Sequence, residues 1–275
     1  MDNQRRKFLK MAGVTALAGI GAPAVTRLAS PAHASSAPTG HETPAEGHGQ
    51  PIQGEEAPKG VRLGMVIDMR KLYGRPDLMD KAIAACNREH NIPHYEDKRN
   101  EIKWIWKEPF ANVFPEHSSY HASRQTREND FLLLCNQCDE PPCVRVCPTQ
   151  ATFVEEKNGI VVMDYHRCIG CRFCMMACPY GSRNFNWFDP RDHIAEYNPD
   201  YPTRMRGVVE KCTFCEELLA KGLEPACVQA IKESGALVFG DLNDPNSEIS
   251  QILAKEHTIQ RKPSLGTIPS VFYIV

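Results

Sequence analysis

Apolar residues along this chain come in short runs, and few of them keep one period for long. Residues 62–69 form a compact apolar stretch centred on Val66 and Ile67, which predicts a strand. From Pro76 onward, Leu78, Met79, Ala82 and Ile83 recur at helical spacing. With Pro76 at the start and Asp77 beside it, a short helix is predicted over 76–87. Residues 102–106 (IKWIW) alternate and predict a strand with one buried face, in which Trp104 and Trp106 serve packing or a partner surface. A short apolar run at 131–134 leads into Cys135. Residues 152–163 predict a hairpin turning at Asn158-Gly159, a pair that favours the positive φ of a tight turn. Near the end, a strand at 236–240, a polar helix at 247–255 and an apolar tail at 270–275 complete the pattern. The tail is too short to cross a bilayer.

The N-terminal sixty residues do not fit this scheme. Asn3 to Lys10 (NQRRKFLK) resembles the twin-arginine export motif, followed by a mild Ala/Gly-rich apolar segment and a small-residue cleavage site at Ala32-His33-Ala34. Residues 1–34 are therefore expected to be an export signal, leading to a periplasmic location. Residues 35–60 are rich in Ala, Pro, Gly, Glu and His without apolar periodicity and are expected to be a disordered linker, with His41 and His48 simply solvated. A net charge of −2 over 275 residues gives no reason to expect nucleic-acid binding. The 21 prolines and an aromatic share of 8% favour irregular structure, which bound metal would help to hold together.

The chemistry lies in twelve cysteines. Cys135, Cys138, Cys143 and Cys147 precede Pro148, and Cys168, Cys171, Cys174 and Cys178 precede Pro179. The second spacing is the bacterial ferredoxin run, in which three thiolates hold one [4Fe–4S] cube and the fourth ligates a second. Two runs in tandem predict exchanged fourth ligands. Cys135, Cys138 and Cys143 would bind one cluster with Cys178, and Cys168, Cys171 and Cys174 would bind another with Cys147. A zinc ribbon needs only two separated C-x-x-C pairs, and cysteines two residues apart cannot all reach disulfide separation. Beside the second run, His166-Arg167 is either a cation tuning a cluster or a solvated strand end. Cys212, Cys215 and Cys227 form a third set.

The order of these sets resembles the iron–sulfur subunits of the dimethyl-sulfoxide-reductase type, over residues 61–240. That resemblance implies an α+β fold of two interlocked bacterial-ferredoxin-like cluster-binding units with short hairpins and helices. Within a single domain at 61–275, residues 131–182 would be the central two-cluster unit, and 61–90 with 207–240 a degenerate partner unit. Leu72, Arg75, Leu78 and Ile231 stand where the family has cysteines, while Cys86 matches a further one, displaced by four positions. In the family's interlocked scheme all the missing ligands belong to one cluster, and Cys86, Cys212, Cys215 and Cys227 belong to its neighbour. Three [4Fe–4S] clusters follow. The alternative is a three-iron cluster on Cys212, Cys215 and Cys227, with Cys86 an ordinary thiol.

Residues 85–93, 104–110, 179–183 and 240–245 resemble more closely the exported ferredoxin-like subunits of Dsr transmembrane electron-transfer complexes. This implies an electron-transfer subunit without a substrate site of its own. Its partners would be an integral-membrane quinone-interacting subunit of polysulfide-reductase type and a multihaem cytochrome c, with membrane association through a partner. Alternatives are the iron–sulfur subunit of another membrane oxidoreductase (polysulfide, nitrite or dimethyl-sulfoxide-reductase type) or a metal-stabilised structural protein.

Overall fold

The computed structural model describes residues 60–117 and 123–275. The export signal, almost all of the expected linker, and His41 and His48 lie outside the described residues. The strands are β1 (Leu63–Asp68), β2 (Ile105–Pro109), β3 (Asp130–Leu134), β4 (Thr152–Val154), β5 (Val161–Met163), β6 (Asn184–Phe185), β7 (Val209–Glu210), β8 (Leu237–Asp241) and β9 (Val271–Ile274). The helices are α1 (Pro76–Glu89), α2 (Phe110–Val113), α3 (Arg124–Glu128), α4 (Pro142–Arg145), α5 (Phe173–Ala177), α6 (Glu216–Leu219), α7 (Ala226–Ala230) and α8 (Glu248–Lys255). Small sheets and short helices alternate, an α+β arrangement.

The main sheet has the order β8-β1-β9. β1 is antiparallel to β8, with Val66 opposite Val238, and parallel to β9, with Val66 opposite Phe272. The apolar tail is thus a strand of the central sheet. A parallel neighbour so distant in sequence leaves no local signal, because its pairing depends on the whole intervening chain. Before β9 enters the sheet, its approach clamps the first cysteine loop. Asp139 N donates to Ile268 O at 2.9 Å, Glu140 N to Thr267 O at 3.1 Å, and Ser270 N to Asn136 O at 2.8 Å.

α1 begins with Pro76 at its first turn and runs two residues beyond the predicted end. Met79, Ala82 and Cys86 share its buried face, and the helix packs against α7. α8 follows the expected span, with the Ser247 side chain accepting from Ser250 N at 3.2 Å as its N-cap.

Two local predictions need correction. The strand at 102–106 begins only at Ile105, pairing with β3. Trp104, before it, is 1% exposed, so it presents no partner surface. The turn at Asn158-Gly159 is not a tight two-residue turn. Only Gly159 has positive φ (69°), and residues 155–160 form a wider loop docked on β1. Leu63 N donates to Asn158 O at 3.1 Å and Arg62 Nη1 to Gly159 O at 2.9 Å. The positive φ favours glycine at 159, and a Cβ there would sit 2.8 Å from Arg62 Nη1 and push that side chain aside.

The main core joins Met65, Ile67, Leu72, Trp104 and Phe131 to Tyr273. A smaller cluster brings Cys143 and Cys174 together with Val161 and Val209. The cysteine loops are thus anchored on both apolar groups.

Candidate metal centres

Cys135 and Cys138 sit in the loop after β3, Cys143 on α4, and Cys178 just after α5. Together they line one recess. Cys168 and Cys171 precede α5 and Cys174 lies on it. With Cys147, after α4, they line a second recess. The fourth cysteine of each recess thus comes from the other run. The cross-over follows from packing α4 against α5, which places the end of each run beside the start of the other.

The third set is buried throughout. Cys86 is 4% exposed, Cys212 7%, Cys215 4% and Cys227 6%. Burial, then the neighbouring Cys212, Cys215 and Cys227, push the Cys86 thiol well above its ordinary range. α1 packed on α7 brings a residue over a hundred positions upstream into this group. Phe214 N donates to Cys212 Sγ and Ala226 N to Cys215 Sγ, each at 3.4 Å. Arg172, Phe214 and Cys215 have positive φ (63°, 57° and 56°), the backbone kinks that turn closely spaced thiols inward. Gly170 (φ 69°) is in such close contact with the Gly207 carbonyl that a side chain there would collide with it.

The donor chemistry fits iron–sulfur cubes better than single ions. Around one tetrahedral zinc, sulfurs at about 2.3 Å from the metal would lie roughly 4 Å apart. Among the described residues, no three cysteine sulfurs lie within 4.8 Å of one another. The ligand-type group that does is His90, Cys215 and Glu217, which lies against the third set. His90 Nδ1 donates to Cys86 O at 3.0 Å, and Nε2 meets Glu217 Oε1 at 2.8 Å. None of the twelve cysteines forms a disulfide.

Burial pushes the Cys138 thiol up to about 12 and Cys227 to about 11. Cys147 moves the other way: burial opposes its thiolate, but the backbone amides of Thr152, Thr149 and Ala151 and the Thr149 hydroxyl outweigh it.

The first set adjoins each of the other two. Cys135, in the first recess, exerts the largest electrostatic effect of any side chain on Cys212 in the third set, and Arg183 bears on both Cys143 and Cys174. Gln137 ties the first loop to the third, its Nε2 donating to Cys212 O and its Oε1 accepting from Val161 N, each at 2.8 Å. Lys211, fully buried, donates to Cys212 O at 2.9 Å and to Val161 O.

Sequence reasoning passed over the roles of Gln137, Arg183, His90 and Lys211. Arg183 stood in a stretch noted only for its resemblance, since a lone arginine carries no spacing signal. Of the two readings of His166-Arg167, the structure favours the solvated one: Arg167 is 62% exposed and pairs with Asp164 at 3.2 Å. Where the family has further cysteines, Leu72 (0% exposed) and Ile231 (2%) are core residues, and Leu78 packs against that core. Arg75 is exposed and paired with Asp77 at 2.9 Å. None of these four side chains offers a thiol.

Residues 130–242 match a family model described as a 4Fe-4S dicluster domain. The chain is 40% identical, over 98% of its length and 97% of the relative's, to the Hdr-like menaquinol oxidoreductase iron-sulfur subunit 1 of Archaeoglobus fulgidus. It is 36% identical to the menaquinone reductase iron-sulfur cluster-binding subunit of Nitratidesulfovibrio vulgaris, over 78% of this chain and 89% of that one. It is also 36% identical to the B component of the polysulfide reductase of Wolinella succinogenes, over 69% and 84%. The chain therefore belongs to the dimethyl-sulfoxide-reductase-type family of iron–sulfur subunits, the electron-transfer components of oxidoreductase complexes rather than their catalytic subunits.

Proposed function

We infer that the chain relays electrons through three [4Fe–4S] clusters. Cys135, Cys138, Cys143 and Cys178 hold the first, Cys168, Cys171, Cys174 and Cys147 the second, and Cys212, Cys215, Cys227 and Cys86 the third. The grouping of twelve thiols into three sets of four carries this reading. When bound, such clusters supply reversible one-electron reduction. The chain's part is to fix the spacing of the three sets, exclude water and tune each potential through hydrogen bonds to sulfur. Phe214 N, Ala226 N and the amides around Cys147 are the donors placed to do so. The third set is the best insulated from solvent.

The relatives' names point to menaquinol, menaquinone and polysulfide chemistry. On that basis the partner is an integral-membrane quinone-interacting subunit of polysulfide-reductase type. The closer resemblance over residues 85–93 and 240–245 supports a complex of the Dsr group, with a multihaem cytochrome c neighbour and a periplasmic location after twin-arginine export. Among the described residues no helix is long and apolar enough to cross a membrane, so attachment is assigned to the partner.

The test is iron and acid-labile sulfide analysis of the full chain purified without oxygen. About twelve iron atoms per chain are expected, four per cluster; about eight or about sixteen would contradict the reading. For the partner, the dithionite-reduced chain is mixed with a quinone analogue, with and without the co-purified membrane subunit. Reoxidation only with the membrane subunit supports the relay. No reoxidation in either mixture favours a structural role for the clusters.

A further inference from the structure

Arg183 is 4% exposed. Its Nη2 donates to Cys143 Sγ, a thiol of the first recess, at 2.9 Å. The same nitrogen reaches Thr152 Oγ1 at 2.9 Å, and Nη1 reaches Met163 Sδ at 3.1 Å. Thr152 and Met163 line the second recess, while Arg183 itself lines the first. The guanidinium therefore forms part of the partition between the two. Its charge also bears on Cys174, a thiol of the second recess.

A guanidinium keeps its charge at any pH a protein survives. Buried, such a charge demands a counter-charge. Among the described residues no carboxylate lies within ion-pair distance of Arg183. The groups whose charge would offset its burial are cysteine sulfurs, Cys143, Cys174 and Cys135, which are thiolates when they hold metal. Gln or Met could fill the space, but neither carries a charge.

We propose that Arg183 is a positioning residue shared by two redox centres, a permanent buried cation that raises the potentials of the first and second clusters together and leaves the third apart. This rests on the three-cluster reading above. A four-thiolate cube is anionic and becomes more so on reduction, so a fixed cation beside it stabilises the reduced form. Because one guanidinium donates to Cys143 Sγ of the first set and, through Thr152 and Met163, abuts the second, where its charge bears on Cys174, both potentials shift in the same direction. Hydrogen bonds to cysteine sulfur act in that direction too.

The experiment is an EPR-monitored redox titration of the intact chain and of Arg183→Gln and Arg183→Lys, with iron content measured on each. In Arg183→Gln, two of the three midpoints should fall. The reduced-to-oxidised ratio at a fixed potential should drop at least tenfold for both, equal to about 59 mV for a one-electron couple. The third should not move. Arg183→Lys, which keeps the charge, should recover most of the loss. A fully loaded Arg183→Gln chain with unmoved midpoints, with one midpoint moved, or with all three moved alike overturns the proposal. So does a Lys variant that behaves like Gln.

Should the Gln chain lose iron, the unsubstituted protein decides the matter. With 15N-arginine incorporated, pulsed EPR should find a weakly coupled 15N on the first cluster's signal, and no such coupling would overturn the proposal. An unsubstituted chain with fewer than three clusters counts against the three-cluster reading. Three clusters with unshifted variants count against Arg183 alone.

Discussion

The indole Nε1 of Trp104 donates to Oε2 of Glu210 at 2.9 Å, in a part of the chain where neither side chain meets solvent. Glu210 also takes Arg204 Nε at 2.8 Å and Asn186 Nδ2. Arg204 in turn holds the His90 and Asn91 carbonyls. Glu210 stands two residues before Cys212, so this network fixes the entry to the third cysteine set. Glu210→Gln removes the charge, keeps the volume and leaves Arg204 buried without its partner. A loss of about 3–5 kcal/mol is expected for breaking such a pair, read as a lower midpoint in denaturant unfolding of the iron-loaded chain.

The crossed fourth ligands give a directional expectation. Cys147→Ser should remove the signal of the cluster held by Cys168, Cys171 and Cys174, and Cys178→Ser that of the other. EPR of the two variants checks this. If each substitution instead weakened the cluster nearest in sequence, the exchange would be wrong.

Cys86→Ser separates a four-thiolate third site from a three-iron one. About four fewer iron atoms per chain, or conversion of one signal to a three-iron type, is expected if Cys86 is the closing ligand. An unchanged third signal with unchanged iron would make Cys86 an ordinary buried thiol.

Ile231, which the resemblance sets at a family cysteine position, belongs to the same buried core as Leu72 and Val228. Ile231→Ala should cost about 2–5 kcal/mol through the cavity it leaves, measured by denaturant unfolding, with iron content kept. Ile231→Cys should add no iron, since Leu72, Arg75 and Leu78 supply no thiols.

Proton linkage gives a last expectation, for the metal-free chain. Burial raises Cys227 to about 11 and Cys138 to about 12. Burial also raises Tyr180 to about 12, partly offset by its bond to Thr267. Groups raised in the folded state contribute stability that is complete below their unfolded pKa values, about 8.5 for Cys and about 10 for Tyr. That stability is lost as pH climbs toward 12. The metal-free chain should therefore weaken steadily between about pH 9 and 12, followed by circular dichroism. The iron-loaded chain should not show the cysteine part of this loss, because its thiols have already given up their protons to metal.

Much of this was legible along the chain. Cysteines two and three residues apart state their chemistry locally, and so do Pro76 at the first turn of α1 and Ser247 as the cap of α8. Asn158-Gly159 signalled a turn, but docking on Arg62 and Leu63 decided its width. Trp104 read as one face of an alternating strand, yet a carboxylate a hundred residues away buried it.

The sequence by itself marked the cysteines as candidate ligands, because ligand type and close spacing are properties of the chain over a few positions. For Cys86 the resemblance offered two readings, and the tertiary structure put it against the third set; only that structure decided that residues 271–274 complete the central sheet and that Arg183 stands between two cysteine groups. Each of these joins segments far apart in sequence, and burial and charge at such a meeting depend on the path of everything between.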